Sequence, residues 1–182
     1  MAGRTDSQIH HIGIFGRRLS GKTTLTIRLL GGSYAVEGRF GVVLDPKLGQ
    51  HVWGRHCYVT NDRERWLRKW QHPQCRNCNV VWEETSTSLQ RDPKFVEVFT
   101  AKAGEHGHRL IVTGHSGTAL LPVMREQITE IFLFRQSKNE AEMWAELFAD
   151  ERIKNLAMTL NPDRREYLHV RFGGTPVVYP KA

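Results

Sequence analysis

Eight consecutive residues, Gly16-Arg17-Arg18-Leu19-Ser20-Gly21-Lys22-Thr23, have the types and spacing of a phosphate-binding loop, GxxxxGK[ST]. Glycines at both ends let the backbone curl until several N–H groups point inward at phosphate oxygens. The helix that should begin at the loop's end adds its positive terminus. In that chemistry Lys22 reaches the β- and γ-phosphates of ATP and the Thr23 hydroxyl faces Mg²⁺, with Thr24 next along the helix. A second group should stand opposite. Glu83 and Glu84 follow the apolar run Val80-Val81-Trp82. Glu83 is the candidate metal-side carboxylate, and Glu84 the candidate general base for an attacking water. Thr113 and His115, at the end of another apolar run, are candidate sensors of the γ-phosphate.

The elements that must position these groups can be read from their patterns. Ile9 to Phe15 has the composition of a buried strand and leads straight into the loop. A helix is expected from Gly21 to Leu30, with Gly31-Gly32 as its stop. Strands are expected at Phe40–Leu44 (ended by Asp45-Pro46), Cys57–Thr60, Asn79–Trp82, Leu110–Val112 and Ile131–Phe134. Helices are expected after Asn61 or Asp62, from Asp92-Pro93 through Ala103, over Ala119–Gln127, and after Ser137. Ser137 and Glu140 have the spacing of a capping box. Tyr167–Phe172 and Val177–Tyr179 flank Gly173-Gly174 as a C-terminal hairpin. Alternation of strands and helices implies an α/β class with a mostly parallel sheet. With 182 residues and no divisive linker, the expectation is one domain over 1–182. Its core would be 8–136, with helices and hairpin in 137–182.

Composition narrows the partners. Hydrophobic residues make up 40% and charged residues 25%, with a net charge of +7, which favours polyanionic partners and nucleic acid first. No apolar run approaches the ~20 residues of a membrane span. The polar start, Met1 to Ser7, lacks the apolar core of a secretion signal. Three cysteines make no disulfide framework, so the expectation is an intracellular, reducing setting. Cys75-Arg76-Asn77-Cys78 has CxxC spacing, with His72, Cys57, His51 and His56 as further zinc ligands to weigh. Unpaired thiols are the favoured reading there. Arg63, Arg65, Arg68 and Lys69 form a basic cluster on the helix that carries Trp66 and Trp70. Thr85 to Arg91 reads as a polar loop after the acidic pair.

In order along the chain stand the phosphate loop, Val42-Val43-Leu44-Asp45-Pro46-Lys47, the acidic pair, the polar strand end and Leu121-Pro122-Val123-Met124-Arg125. This succession resembles the FtsK–HerA superfamily of DNA-pumping ATPases. Within it the resemblance is to the genome-packaging ATPases of membrane-containing icosahedral viruses, and also to Zot-type proteins of filamentous phages. It spans roughly 8 to 136. It implies a RecA-like P-loop core and a homo-oligomeric ring, pentamer or hexamer, with ATP hydrolysed at subunit boundaries. It further implies double-stranded DNA as the driven substrate, capsid or portal-vertex proteins as docking partners, and a place in the host cytoplasm or with the virion. Arg125 falls where an arginine acting on a neighbour's ATP is expected, and Arg135 is the second candidate. The family usually has Asp before Glu where this chain has Glu83-Glu84, and often Gln where this chain has Gly114-His115. A small nucleoside or nucleotide kinase and a Zot-like, nucleotide-dependent assembly or secretion factor are the alternative functions.

Overall fold

The computed structural model describes residues 10–84, 96 and 106–180. Five parallel strands come from apolar, β-branched runs: β1 (His11–Phe15), β2 (Gly41–Leu44), β3 (Cys57–Thr60), β4 (Asn79–Trp82) and β5 (Arg109–Gly114). A sixth, β6 (Ile128–Phe134), also runs parallel, while β7 (Tyr167–Arg171) and β8 (Val177–Tyr179) close the sheet as an antiparallel hairpin. The order is β3-β2-β4-β5-β1-β6-β7-β8. The α/β class and the mostly parallel sheet are as expected.

Both faces of the sheet are covered, so the strands are apolar on both sides, as buried parallel sheets require. Their period of two divides the core. Val42, Leu44, Val80, Trp82, Leu110 and Val112 face α2 (Arg63–Trp70), α4 (Lys138–Phe148) and α5 (Arg152–Thr159), with Trp66, Trp144 and Ile153. Val43, Val81, Ile111, Ile14 and Phe132 face the other way, with Leu25 and Leu30 of α1 (Lys22–Glu37). Asp62 is the cap of α2, its Oδ1 accepting from Arg65 N at 3.0 Å. Trp66 and Trp70 are fully buried, and Trp66 Nε1 donates to Val42 O at 3.0 Å.

Three local expectations fail. Helix α1 runs through Gly31-Gly32 to Glu37 and ends at Gly38, whose φ of 68° closes it. The flanking Leu30 and Ser33 are buried, and Asn79 Nδ2 donates to Ser33 Oγ at 3.0 Å, so tertiary contacts outweigh the poor propensity of two glycines. The helix expected over Ala119–Gln127 is the single turn α3 (Pro122–Arg125), since proline fixes its first position and β6 begins at Ile128. Ser137 is the N-cap of α4 without a side-chain bond, and Glu140 reaches the β5–α3 loop instead. Helix α5 lies within 137–182, where helices were expected, but the expectation gave it no bounds. The helix expected from Asp92 and the loop from Thr85 to Arg91 lie outside the described residues, except Val96, which is helical and buried.

Candidate nucleotide-binding site

The loop between β1 and α1 is built by close packing at one end and a turn at the other. A Cβ on Gly16 would lie 2.6 Å from Phe134 Cβ, so no larger residue fits against β6. Gly21 has φ 109°, open to glycine and strained for side-chained residues. Between them Leu19 adopts φ 64° and stands 86% exposed at the tip. Helix α1 starts with no side-chain cap and no acidic residue in its first turn, leaving its first N–H groups directed at the loop's concavity. Lys22 Nζ donates to the carbonyls of Gly16 at 2.8 Å and Arg17 at 2.9 Å, holding the loop closed on itself. Ser20 Oγ is buried with no hydrogen-bond partner among the described residues. The loop borders a cavity of about 290 Å³ lined by Arg18 through Thr24, Lys47, His51, Glu84 and Arg165.

The strand order brings the acidic pair to this cavity. β5 lies between β4 and β1, and all three end at the same edge. Thr23 Oγ1 donates to Glu83 Oε1 at 2.5 Å, and Thr113 Oγ1 donates to Glu83 Oε2 at 2.8 Å. Glu84, at φ 53°, donates its backbone N–H to Thr113 Oγ1 at 3.0 Å. Its side chain pairs with Lys47 Nζ at 2.5 Å. Burial pushes the Glu83 carboxyl above the usual carboxylate range, against the two threonine hydrogen bonds, and the nearby Asp45 adds to the rise. Burial also lowers Lys22; Glu83 and Glu84 partly offset this. The site therefore strains both charges until ligands of opposite sign arrive.

The sequence-derived residues divide clearly. Gly16 to Thr24, Glu83, Glu84 and Thr113 meet at one edge. Thr113, the sensor candidate, is buried and bridges the two glutamates, so its hydroxyl helps to position them. His115 is exposed in the loop beyond β5. Arg125 stands apart from its own phosphate loop. Its Nη1 meets Met143 Sδ at 2.7 Å, beside a separate cavity lined by Pro122, Glu126, Glu146 and Leu147. Arg135 lies beside its own loop, sharing a cavity of about 400 Å³ with Arg17, Arg18, Phe134 and Arg165.

Several participants were missed. Asp45 is fully buried and accepts from Lys47 N at 2.8 Å and Trp53 Nε1 at 2.9 Å, and its Oδ2 pairs with His51 Nδ1 at 2.9 Å. It thereby shapes the turn that carries Lys47 to Glu84. Glu140 accepts from Gly117 N at 2.8 Å and from the hydroxyls of Ser116 and Thr118, fixing the loop after β5. Arg165, from the segment before β7, borders both cavities at the loop. The Asp-Pro-Lys strand end was a visible signal for the first group; nothing local in sequence marks the others.

A strand, a curled loop with its lysine, and a helix bearing Thr23 now stand opposite a buried carboxylate. The fold is that of a P-loop NTPase. No protein-family model matches the chain, and no curated protein matches it in sequence. Among solved structures, the chain is similar to the genome-packaging NTPase B204 of Sulfolobus turreted icosahedral virus 2 in complex with sulfate. The TM-score is 0.77 at 15% identity, over 95% of this chain and 96% of that one. That packaging NTPase has also been solved with AMP, AMPPCP and ATP-gammaS. The N-terminal domain of zonular occludens toxin from Neisseria meningitidis gives a TM-score of 0.54 at 13% identity, over 96% of this chain and 95% of that one. The cytoplasmic domain of the type VII secretion ATPase EccC from Thermomonospora curvata gives 0.63 at 15% identity, over 96% of this chain but 25% of that one. At these identities the likeness is one of fold, and the fold agrees with the resemblance read from the motifs. No helix among the described residues is long and apolar enough to cross a membrane.

Proposed function

We propose that this chain binds ATP with Mg²⁺ and hydrolyses it to drive double-stranded DNA, as the motor that packages a viral genome. The observation that carries the reading is the Thr23–Glu83–Thr113 chain of hydrogen bonds facing Lys22 across the phosphate loop. The Thr23 hydroxyl and the Glu83 carboxylate are hard oxygen donors of the kind Mg²⁺ takes. The orphaned Ser20 hydroxyl and the uncapped start of α1 suit an anion in the loop. Held by Thr23 and Glu83, Mg²⁺ would supply positive charge against the phosphates.

The chain's own residues supply the rest. Lys22 exchanges the carbonyls of Gly16 and Arg17 for phosphate oxygens. Lys47 turns toward the terminal phosphate and releases Glu84, whose freed carboxylate accepts a proton from the attacking water. Arg125, outside its own site, meets the ATP of the next copy in a ring of five or six. The surplus of basic residues grips DNA phosphates without reading sequence, as a motor for any sequence requires. The near end-to-end likeness to a packaging NTPase supports this assignment over a nucleotide kinase. It also favours a setting in the host cytoplasm, with capsid or portal-vertex proteins as docking partners. The likeness to the zonular occludens toxin domain supports a second reading, a nucleotide-dependent assembly or secretion factor.

The test is ATP hydrolysis with and without duplex DNA, and with a panel of nucleoside acceptors. Stimulation by duplex DNA is expected. Turnover that requires a phosphate acceptor would assign a kinase, and slow turnover indifferent to DNA would favour the assembly factor.

A further inference from the structure

At the opposite end of β4 from Glu83, the chain turns between α2 and β4 through Cys75-Arg76-Asn77-Cys78. The two sulfurs lie 3.0 Å apart. Cys78 is buried, and its backbone is tied at both ends: its N–H donates to His108 Nδ1 at 3.1 Å and its carbonyl accepts from Arg109 N at 2.9 Å. Cys75 is half-buried and opens onto a cavity of about 690 Å³ lined also by Arg65, Arg68, Lys69, His72 and Arg76. Cys57 and His56 line other surfaces, His51 is engaged by Asp45, and among the described residues no three metal-ligating side chains converge. The arrangement is one half-buried sulfur, one buried resolving sulfur and a basic bowl that both residues line.

We propose that Cys75 and Cys78 form a reactive dithiol whose reaction partners are small anionic disulfides of the glutathione class, seated by the basic cavity. The Cys75 thiolate attacks one sulfur of glutathione disulfide. A mixed disulfide forms and one glutathione thiolate leaves. The Cys78 thiol gives up its proton and attacks the Cys75 sulfur, closing the Cys75–Cys78 disulfide. The second glutathione thiolate leaves and takes up that proton. The first glutathione thiolate takes up from water the proton that Cys75 released on ionising, so the protein dithiol loses two electrons and two protons in all and the small disulfide is reduced to two thiols.

The electrostatics agree with this order of attack. The hydrogen bond from Cys78 brings the Cys75 thiol down to about 7 against the opposing effect of burial, with Lys69 assisting. Donating that bond pushes Cys78 up, as does burial, while Arg39 and Lys69 oppose the rise. Burial pushes Cys57 up to about 11, which makes it an internal reference. Near neutral pH Cys75 is therefore far more ionised than Cys57, which outweighs the lower intrinsic nucleophilicity of the more acidic thiol and makes Cys75 the faster to react.

The experiment treats the full chain with glutathione disulfide at neutral pH and maps modified peptides by mass spectrometry. The expected product is an internal Cys75–Cys78 disulfide with Cys57 still reduced. Cys78→Ser should trap the glutathione adduct on Cys75. Cys75→Ser should leave Cys78 unmodified over the same interval. The double change Arg68→Gln/Lys69→Gln should slow reaction with glutathione disulfide more than with cystamine, a cationic disulfide. Modification of Cys57 as fast as Cys75 would overturn the dithiol. Equal slowing with both reagents would overturn the anion seat. Circular dichroism on each variant separates lost reactivity from lost folding, and Cys57 reactivity in the native chain decides the matter if a variant unfolds.

Discussion

Lys22 and Glu83 are each nearly fully buried, and burial acts against both charges: it lowers the lysine and raises the carboxyl. The sign of the consequence for Glu83 follows from linkage. Between the ordinary carboxylate range and the raised native value, the native state holds a proton that the unfolded chain has lost. Stability therefore falls as pH rises through that window. Glu83→Gln removes the effect, so the nucleotide-free variant should melt higher than the native chain at neutral pH. The gain should vanish at acid pH; thermal melts across pH check it. The same substitution should weaken Mg²⁺-dependent ATP binding. At this scale the sequence disclosed the residues that belong to one short motif, Gly16 to Thr24 and Glu83-Glu84. It did not disclose Asp45, Lys47, Glu140 or Arg165 in their present roles, because each acts through a contact between loops distant in sequence. Thr113 was found by its type and position at a strand end, which say only that a hydroxyl stands there; its bonds to Glu83 and Glu84 depend on β4 and β5 being neighbours.

Strands were legible because alternation along β2, β4 and β5 assigns each side chain to one face of a sheet covered on both sides. Helix ends were less so. Gly31-Gly32 reads as a stop by propensity, yet α1 continues because Leu30 and Ser33 are held from outside the helix. A Cβ on Gly32 would meet nothing within 4 Å, so the glycine costs helix stability without a packing reason. Gly32→Ala should stabilise the fold by roughly 0.5–1 kcal/mol in urea unfolding. Ser137 and Glu140 misled in the opposite sense: the spacing suits a capping box, but Glu140 holds the loop Ser116 to Thr118. Removing that anchor by Glu140→Ala strands the Gly117 N–H donor and should cost roughly 1–3 kcal/mol. Limited proteolysis should then cut in that loop before the rest of the fold.

At the scale of the whole molecule, the sheet gathers the phosphate loop, the acidic pair and the Lys47 turn at one edge and leaves Arg125 elsewhere. In the proposed mechanism a complete ATPase needs the Arg125 of a neighbour. Arg125→Ala and Glu84→Gln chains, each inactive alone, should regain part of the native turnover when mixed in one ring. The Arg125→Ala copy keeps its own base and borrows the arginine of the copy beside it. An arginine supplied this way contributes on the order of 10³–10⁵ in rate, so the rescue should be plain. Absence of rescue in rings verified as mixed would remove Arg125 from the reaction.

In the proposed mechanism a lysine-gripped triphosphate faces the carboxylate of Glu84. Phosphate release by Glu84→Gln, measured beside equilibrium ATP binding, tests it most directly. ATP binding should match the native chain while turnover falls by about 10²–10⁴. Native turnover in a Glu84→Gln chain that binds ATP normally would contradict the account.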